Sequence, residues 1–254
     1  MPRLLSLLAV AVALQLTRAH SIELPQPIGV EAGRTFPYSM IGQLLFQSGD
    51  GFYSGSGTVI HTSTVLTAAH NLYDYRGGSS TDMQFLRGHD NDTNLSVQYA
   101  SRQYILGGYR ASVSRFGENS VRAFAGDVGL IQFNEPAAGG SYAGWSADRS
   151  LLTGPAYKIA LGYGGEAPHS GEELLYVSPT RPFRVRFGAF LENDTLYFES
   201  GMSGGPVFAQ NDAGNLFVAG VVVSGSVTRS DEPLTGGMRA LNSAVAAFIR
   251  RYAR

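Results

Sequence analysis

The 254-residue sequence contains no cysteine, one tryptophan and a single lysine, Lys158. Without cysteine the chain has no disulfide, no thiol nucleophile and no thiolate metal site, so its stability has to come from a packed core, with bound ions or glycans as further candidate sources. Outside the first residues, no apolar stretch approaches the 20 or so residues that a membrane-spanning helix needs. No basic patch stands out, which argues against nucleic acid as a partner.

The N-terminus forms a separate segment. Arg3 is followed by the mostly apolar residues 4–16 and then by the small residue Ala19. A basic start, a short apolar core and a small residue at the exit are typical of a secretory signal peptide, and the run is too short to anchor the chain in a membrane. We therefore predict a signal peptide at residues 1–19, a possible propeptide at 20–27, and a secreted, extracellular mature protein.

Cleavage after residue 19 would change the charge only slightly. It removes Arg3 and Arg18 and no acids, which lowers Lys+Arg from 19 to 17 against 20 Asp+Glu. Three Asn-x-Ser/Thr sequons, at Asn91, Asn94 and Asn193, are candidate glycosylation sites in a secretory pathway.

The rest of the chain is strand-like. Short apolar and β-branched runs alternate with clusters of Gly, Ser, Asn and Asp. Helical periodicity is clear once, at the end, where Leu241, Val245, Phe248, Ile249 and Tyr252 share one face. An Ala/Gly/Ser-rich stretch at 134–150 separates two sets of strands. The sequence predicts an all-β domain of two packed antiparallel β-barrels, about 28–135 and 150–254, the second ending in the C-terminal α-helix. Strands are predicted at 38–46, 52–60, 64–69, 103–106, 127–133, 157–161, 174–177, 183–187, 195–198, 207–209 and 216–224.

A serine between glycines, in Gly201-Met202-Ser203-Gly204-Gly205-Pro206, leads into an apolar run. Glycines allow backbone conformations that a side chain forbids, and they allow a substrate carbonyl to come close. This pattern indicates a nucleophile, Ser203, with the N–H groups of Gly201 and Ser203 converging on an oxyanion. Read alone, it is also compatible with a polar turn between two strands.

A base and an orienting carboxylate have candidates upstream. His70 ends the strand-like run 65–69, and Asp127 precedes the apolar run 128–131, where a partly desolvated acid would need a hydrogen-bonding partner. Read singly, His70 is also compatible with a structural histidine and Asp127 with an exposed strand-starting acid. The other histidines lie in polar loops or beside the predicted cleavage site: His20, His61, His89 and His169.

The order of these residues along the chain discriminates between hydrolase folds. The Gly-x-Ser-x-Gly elbow of α/β-hydrolases requires a histidine after the serine, and none follows Ser203. A subtilisin-like order requires an aspartate before His70, where the only local candidate is Asp50 in a glycine-rich turn. The order His70, Asp127, Ser203 is the remaining solution.

With these flanking motifs the chain resembles the chymotrypsin-like (trypsin-like) serine peptidases, from about Ile28 to the C-terminal helix. The likeness is closest to the cysteine-free branch that includes the secreted glutamyl endopeptidases, as Pro37-Tyr38 and Gly162-Tyr163-Gly164 suggest. The motifs that carry the family resemblance are Ser54-Gly55-Ser56-Gly57-Thr58-Val59-Ile60, Val65-Leu66-Thr67-Ala68-Ala69-His70, Asp127-Val128-Gly129-Leu130-Ile131, the Ser203 motif and Gly220-Val221-Val222-Val223-Ser224-Gly225.

The resemblance implies a secreted serine endopeptidase that acts on polypeptide substrates through an acyl-enzyme. Ser203 would be the nucleophile, His70 the general base and Asp127 the residue that orients His70, with the oxyanion bound by Gly201 and Ser203. Substrate backbone would pair beside Val223-Ser224-Gly225. A monomer without cofactor or metal is expected. The alternative is a catalytically silent homologue that acts as a secreted binding protein.

Two departures from the family pattern bear on activation and specificity. Met202 stands where animal trypsin-like enzymes have an aspartate that pairs with the N-terminus freed from the zymogen, so that ion pair cannot form. Tyr197 falls at the base of the primary pocket, which does not support cleavage after Lys or Arg. The strand 221–223 lacks the histidine of the glutamyl branch, which leaves cleavage after Glu unsupported and a small or apolar preference open.

Overall fold

The computed structural model describes residues 22–90, 93–165, 174–227 and 233–254. The predicted signal peptide at 1–19, the start of the predicted propeptide, the sequon at Asn91 and His169 lie outside the described residues. Within the described ranges, no helix has both the length and the apolarity needed to cross a membrane.

Strands dominate the described residues and are numbered in chain order. They are β1 (Gln26–Pro27), β2 (Ile41–Ser48), β3 (Gly51–His61), β4 (Thr64–Thr67), β5 (Tyr73–Asp74), β6 (Gly78–Ser79), β7 (Thr81–Arg87), β8 (Ser96–Tyr99), β9 (Arg102–Ile105), β10 (Gly129–Gln132), β11 (Lys158–Tyr163), β12 (Leu175–Thr180), β13 (Arg184–Phe187), β14 (Phe190–Asn193), β15 (Pro206–Gln210), β16 (Leu216–Val227) and β17 (Pro233–Ala240). The helices are α1 (Val30–Gly33), α2 (Tyr109–Phe116), α3 (Val121–Phe124), α4 (Ser150–Thr153) and α5 (Ser243–Tyr252), with 3₁₀ turns at Tyr38–Met40 and Ala69–Asn71.

Two curled antiparallel sheets follow one another along the chain. The first has the order β8-β7-β2-β3-β4-β10-β9 and the second β1-β12-β11-β15-β16-β17-β14-β13. The paired strands β4 and β10 are buried along their whole length, which explains their continuous apolar and Thr-rich sequences. Side chains from both sheets, such as Leu44, Leu130, Phe208 and Val221, join one contiguous apolar core. The predicted all-β class is confirmed.

The C-terminal helix α5 connects the second barrel to the first. The Asn242 side chain accepts a hydrogen bond from the N–H of Val245 and caps the helix. At the other end the Tyr252 ring stacks on Tyr104 at 4.4 Å between centroids, and the N–H of Arg254 donates to the Thr64 hydroxyl at 2.9 Å. The helix predicted from periodicity is therefore present, and it braces the first barrel.

Several local predictions differ from the structure. Residues 195–198 do not form a strand: the Thr195 N–H donates to the side chain of Asn193, and Leu196 makes only an isolated bridge with Glu23. The burial of Leu196 and Phe198 mimics a strand pattern in an irregular turn. Helix α2 was not predicted, because only Tyr109 and Val113 are buried along it. The other strands that were missed are β1, β5, β6, β7, β8, β14 and β17.

The residues just before the predicted first barrel lie on the second sheet. The N–H of Glu23 donates to the carbonyl of Thr195 at 2.8 Å, β1 pairs with β12, and the N–H of Ile28 donates to the carbonyl of Leu175 at 2.7 Å. The described part of the segment predicted as a propeptide is thus integrated into a sheet. Its removal stays a prediction.

The sequons at Asn193 and Asn94 differ in accessibility. The Asn193 side chain is buried, donates to the carbonyl of Pro182 at 3.2 Å and accepts from the N–H of Thr195 at 2.8 Å. A glycan on that amide would break these contacts, whereas Asn94 is exposed. Glycosylation stays a prediction, and Asn94 is the accessible sequon of these two.

Candidate active site

His70 and Asp127 are brought together by two paired strands of the first barrel. Strand β4 leads into the 3₁₀ turn that carries His70, Asp127 lies just before β10, and Thr67 of β4 pairs with Gly129 of β10. The imidazole Nδ1 lies 2.6 Å from Asp127 Oδ2, and the backbone N–H of His70 donates to Oδ1 at 2.9 Å. Both carboxylate oxygens therefore face the histidine.

The environment of this pair suits a general base. Asp127 is 1% exposed, while 31% of the His70 side chain remains accessible. Burial disfavours the imidazolium, but the charge of Asp127 and its hydrogen bond outweigh burial and raise the pKa of His70 above 6.5, with a smaller contribution from Glu118. Because an ionised carboxylate only accepts hydrogen bonds, Nδ1 carries the proton and Nε2 keeps its lone pair.

Ser203 follows a tight turn over residues 199–202. The N–H of Met202 donates to the carbonyl of Glu199 at 3.1 Å, and Gly201 has φ +90°, which is the signature of a type II turn with glycine at its third position. A β-carbon on Gly201 would lie 2.5 Å from the carbonyl oxygen of Tyr163. Glycine is therefore required at position 201 by conformation and by space.

The turn also orients the amide of Gly201. The carbonyl of Ser200 accepts from the N–H of Gly165 at 3.0 Å. Across a trans peptide the C=O and N–H point in opposite directions, so the N–H of Gly201 is directed away from Gly165. Within the described ranges, no protein acceptor takes the N–H of Gly201 or of Ser203. An oxyanion requires donors of this kind, and here one lies in the turn and the other directly after it.

Gly204 and Gly205 fix the path of the chain after the serine. Gly204 has φ +90°, and a β-carbon there would lie 2.1 Å from the Thr67 hydroxyl and 2.2 Å from the carbonyl oxygen of Ser56. A β-carbon on Gly205 would lie 2.0 Å from the carbonyl oxygen of Leu161. Ser203 is thus carried on a loop that packs, backbone against backbone, between the two barrels.

The predicted nucleophile and base open onto the same space. An open cleft of about 210 Å³ is lined by His70 and Asn71 from the first barrel and by Ser200, Gly201 and Ser203 from the second. The remaining lining side chains, which belong to the first barrel, are Phe46, Ser48, Tyr53, Ser54 and Asp74. The structure therefore brings His70 and Ser203 to one cleft between the barrels, with Asp127 hydrogen-bonded to His70.

The predicted substrate-binding residues lie elsewhere than in this cleft. Tyr197 is 8% exposed, and its ring packs beside Gly225, where an added β-carbon would lie 3.2 Å from Tyr197 Cε2. Val223 is buried at a β-bulge, while Ser224 and Gly225 pair with β17 on one side. The pairing of β15 with β16 ends at Val221, so among the described strands the other edge of Ser224 and Gly225 is open. Their roles stay predictions.

Met202 lies in the interior. Its side chain has no exposed area and packs in the second-barrel cluster with residues such as Phe198 and Val207. An apolar side chain thus occupies the core where the family pattern has the aspartate.

Sequence reasoning missed a polar network beneath the cleft. The Ser56 hydroxyl donates to the carbonyl of Gly201 and accepts from the N–H of Tyr163, both at 2.8 Å, and the N–H of Ser56 donates to the carbonyl of Ser203 at 2.8 Å. Asn71 and Thr67 continue the network. All three side chains are buried, and the polar Thr67 at the end of the apolar strand β4 was the available signal.

A buried arginine behind Asp127 was also missed. Arg239 of β17 is 2% exposed, donates from Nε to the carbonyl of Ala125 at 3.2 Å, and also binds the carbonyl of Ala240 and the side chain of Asn242. Burial lowers the pKa of Arg239 to about 10, and the charge of Asp127 opposes that change. The guanidinium remains charged at neutral pH and links the Asp127 segment to the second barrel.

Comparison with known proteins identifies the family of the chain. The sequence model of the trypsin family matches residues 32–246, and the chain belongs to that family. No curated protein sequence gave a significant match.

Solved structures of proteases share the fold at low sequence identity. The chain is similar to the protease Anisep from Arthrobacter nicotinovorans, with TM-score 0.65 and 19% identity over 84% of this chain and 94% of that one. It is similar to a Glu endopeptidase, with TM-score 0.68 and 19% identity over 89% of this chain and 95% of that one. A third similar structure is HL collagenase, with TM-score 0.67 and 14% identity over 91% of this chain and 98% of that one.

Proposed function

We propose that the protein is a secreted serine endopeptidase that hydrolyses peptide bonds through Ser203, His70 and Asp127. The observation that carries the proposal is the His70–Asp127 pair, with Nδ1 and Oδ2 2.6 Å apart, in the same cleft as Ser203. The family and the fold of the similar proteases support a peptidase. Secretion is proposed from the N-terminal sequence alone.

The proposed reaction proceeds in two stages. Nε2 of His70 accepts the hydroxyl proton as Ser203 Oγ attacks the substrate carbonyl, and the imidazolium is stabilised by Asp127. The N–H groups of Gly201 and Ser203 bind the resulting oxyanion, each contributing about 3–4 kcal/mol in comparable enzymes. His70 then protonates the leaving amine, which gives an acyl-enzyme on Ser203. Water activated by the same imidazole hydrolyses that ester.

Substrate binding is proposed along the open edge of Ser224 and Gly225, as an added strand. Tyr197, packed beside Gly225, would then lie beneath the side chain that precedes the cut bond. An aromatic phenol there supplies no formal charge to hold Lys or Arg, so the primary pocket is proposed to prefer uncharged residues.

The test is a mass-spectrometric digest of a mixed peptide library, with a fluorophosphonate probe to label the nucleophile. The parent protein, from residue 20 onward and from residue 28 onward, is compared with Ser203→Ala and with Ser114→Ala, an exposed serine on α2. We expect cleavage and labelling for the parent and Ser114→Ala, and a loss of about 10⁴- to 10⁶-fold for Ser203→Ala. A folded parent that neither cuts nor labels would overturn the proposal in favour of a silent binding homologue.

A further inference from the structure

We propose that Asn71 is a positioning residue that couples the base to the nucleophile across the two barrels. The inference rests on the proposed function, because it assigns a part in that reaction to a side chain outside the triad. Asn71 is the covalent neighbour of His70 in the 3₁₀ turn Ala69–Asn71, and it is 2% exposed.

The side-chain amide of Asn71 reaches the backbone of the nucleophile. Its Nδ2 donates to the carbonyl of Ser203 at 2.9 Å and to the Thr67 hydroxyl at 3.0 Å, which uses both hydrogens of the amide. The Ser203 carbonyl accepts a second bond from the N–H of Ser56 at 2.8 Å. Both donors belong to the first barrel, so the position of Ser203 in the second barrel is set by its partner barrel.

The network closes on itself through Thr67. The Thr67 hydroxyl donates to the carbonyl of Ser56 at 2.8 Å while it accepts from Asn71. Asn71, Thr67 and Ser56 therefore form a connected unit in which every step is a buried hydrogen bond. Any other arrangement would leave buried polar groups without partners, at a cost in free energy. That cost holds the unit in one arrangement.

Two glycines leave room for this amide. A β-carbon on Gly55 would lie 2.6 Å from Asn71 Nδ2, and one on Gly204 would lie 2.7 Å from it. Real β-carbons do not approach other atoms so closely, so both positions match the space that the amide fills. Gly55 has no positive φ, which makes the space for Asn71, rather than backbone conformation, the reason that a side chain is excluded there.

The consequence for the reaction is geometric. A shift of the 3₁₀ turn moves His70 and Asn71 together, and the bond from Asn71 carries Ser203 with them. Since a misplacement of about 1 Å between reacting groups costs about 100-fold in rate, a link that makes base and nucleophile move together protects the rate of acylation. A residue acting in this way changes kcat and leaves KM nearly unchanged.

The experiment is a double-mutant cycle on the full chain without residues 1–19. Asn71→Ala removes the amide, Asn71→Leu keeps its approximate volume without a donor, and Gly55→Ala places a methyl group where the amide lies. We expect each single variant to lower kcat and the fluorophosphonate labelling rate by about 10- to 100-fold, with KM little changed. In the Asn71→Ala background the methyl group fits the vacated space, so Gly55→Ala is expected to cost much less than it does alone.

Three results would overturn the inference. The first is an unchanged kcat in Asn71→Ala and Asn71→Leu with only a lower melting temperature, which would indicate a structural role. The second is an equal cost of Gly55→Ala in both backgrounds. The third is unchanged amide hydrogen exchange of residues 199–205 in both Asn71 variants, where we expect the exchange to become faster. Exchange needs no turnover, so it judges the coupling even if the parent is inactive and the proposed function fails.

Discussion

The two walls of the cleft are built from different chemical groups. The first-barrel wall presents side chains, the His70 imidazole and the Asn71 amide, and the buried Asp127 carboxylate is hydrogen-bonded to His70. The second-barrel wall presents backbone, because around Ser203 three glycines occupy positions where a β-carbon would collide with neighbouring atoms. The first wall determines the proton affinity of His70 and the hydrogen bonds around it, and the second determines the shape of the cleft around Ser203.

This difference predicts how each wall responds to substitution. A side chain on the first wall can be replaced by one of similar shape, so the chain should still fold while its chemistry changes. On the second wall the smallest addition, a methyl group, meets backbone atoms that cannot rotate away. Substitutions there are expected to affect folding and activity together.

Gly204→Ala tests the second wall and is expected to have the largest effect. The residue has φ +90°, and its β-carbon would lie 2.2 Å from the carbonyl oxygen of Ser56. Strain and overlap together are expected to lower the free energy of unfolding by about 3 kcal/mol or more and to abolish activity. Urea denaturation measures the loss of stability.

Gly107→Ala is the matched control, because nothing lies within 4 Å of its β-carbon position, and its cost is expected to stay within about 0.5 kcal/mol. A Gly204 variant as stable as the control would contradict the comparison.

Asp127→Asn tests the first wall. The amide oxygen can still accept from the N–H of His70, but the amide nitrogen then faces Nδ1 and favours the tautomer with the proton on Nε2. That tautomer cannot accept the serine proton, so kcat is expected to fall by about 10⁴-fold with little change in stability. Single-turnover acylation measures the expected loss of rate, and a melting curve measures the stability. A variant that loses its fold with its activity would show that the first wall is no more tolerant than the second.

Removal of the Arg239 cation near Asp127 should raise the proton affinity of His70. The pKa of His70 is raised, and the base acts only when neutral, so kcat/KM is expected to rise with pH through a half-maximum above pH 6.5. Arg239→Met removes a positive charge that offsets Asp127, which should move this acidic limb to higher pH. It also leaves the carbonyl of Ala125 without its donor, at about 1–3 kcal/mol. Arg239→Lys keeps the charge and is expected to keep the limb near its original pH; equal shifts in both variants would argue against the electrostatic role.

The sequence predicted the parts of the site that ordered motifs and local burial encode. His70, Asp127 and Ser203 each flank an apolar strand, and the requirement for one chain order selected them together. The links between the walls were not predictable, because Asn71 and Ser203 are 132 positions apart and Ser56 and Gly201 are 145 apart. Such bonds depend on how the barrels pack. Local errors had local causes, such as the bond from Thr195 to the Asn193 side chain that turns the chain at 195–198.

Charges outside the cleft give the smallest expected effect and set the baseline for the comparison. Arg184 and Asp194 form an ion pair at 2.6 Å on the second barrel, with side chains 74% and 60% exposed. Water and salt screen such a pair, so Arg184→Ala is expected to change the free energy of unfolding by less than about 1 kcal/mol and to leave kcat/KM unchanged. Melting curves at low and high salt measure this, with the difference between parent and variant shrinking as salt rises. If instead this variant lowered kcat as Asn71→Ala is expected to, the effects assigned to the cleft walls would reflect a general sensitivity of the domain, and the distinction between side-chain and backbone walls would lose its basis.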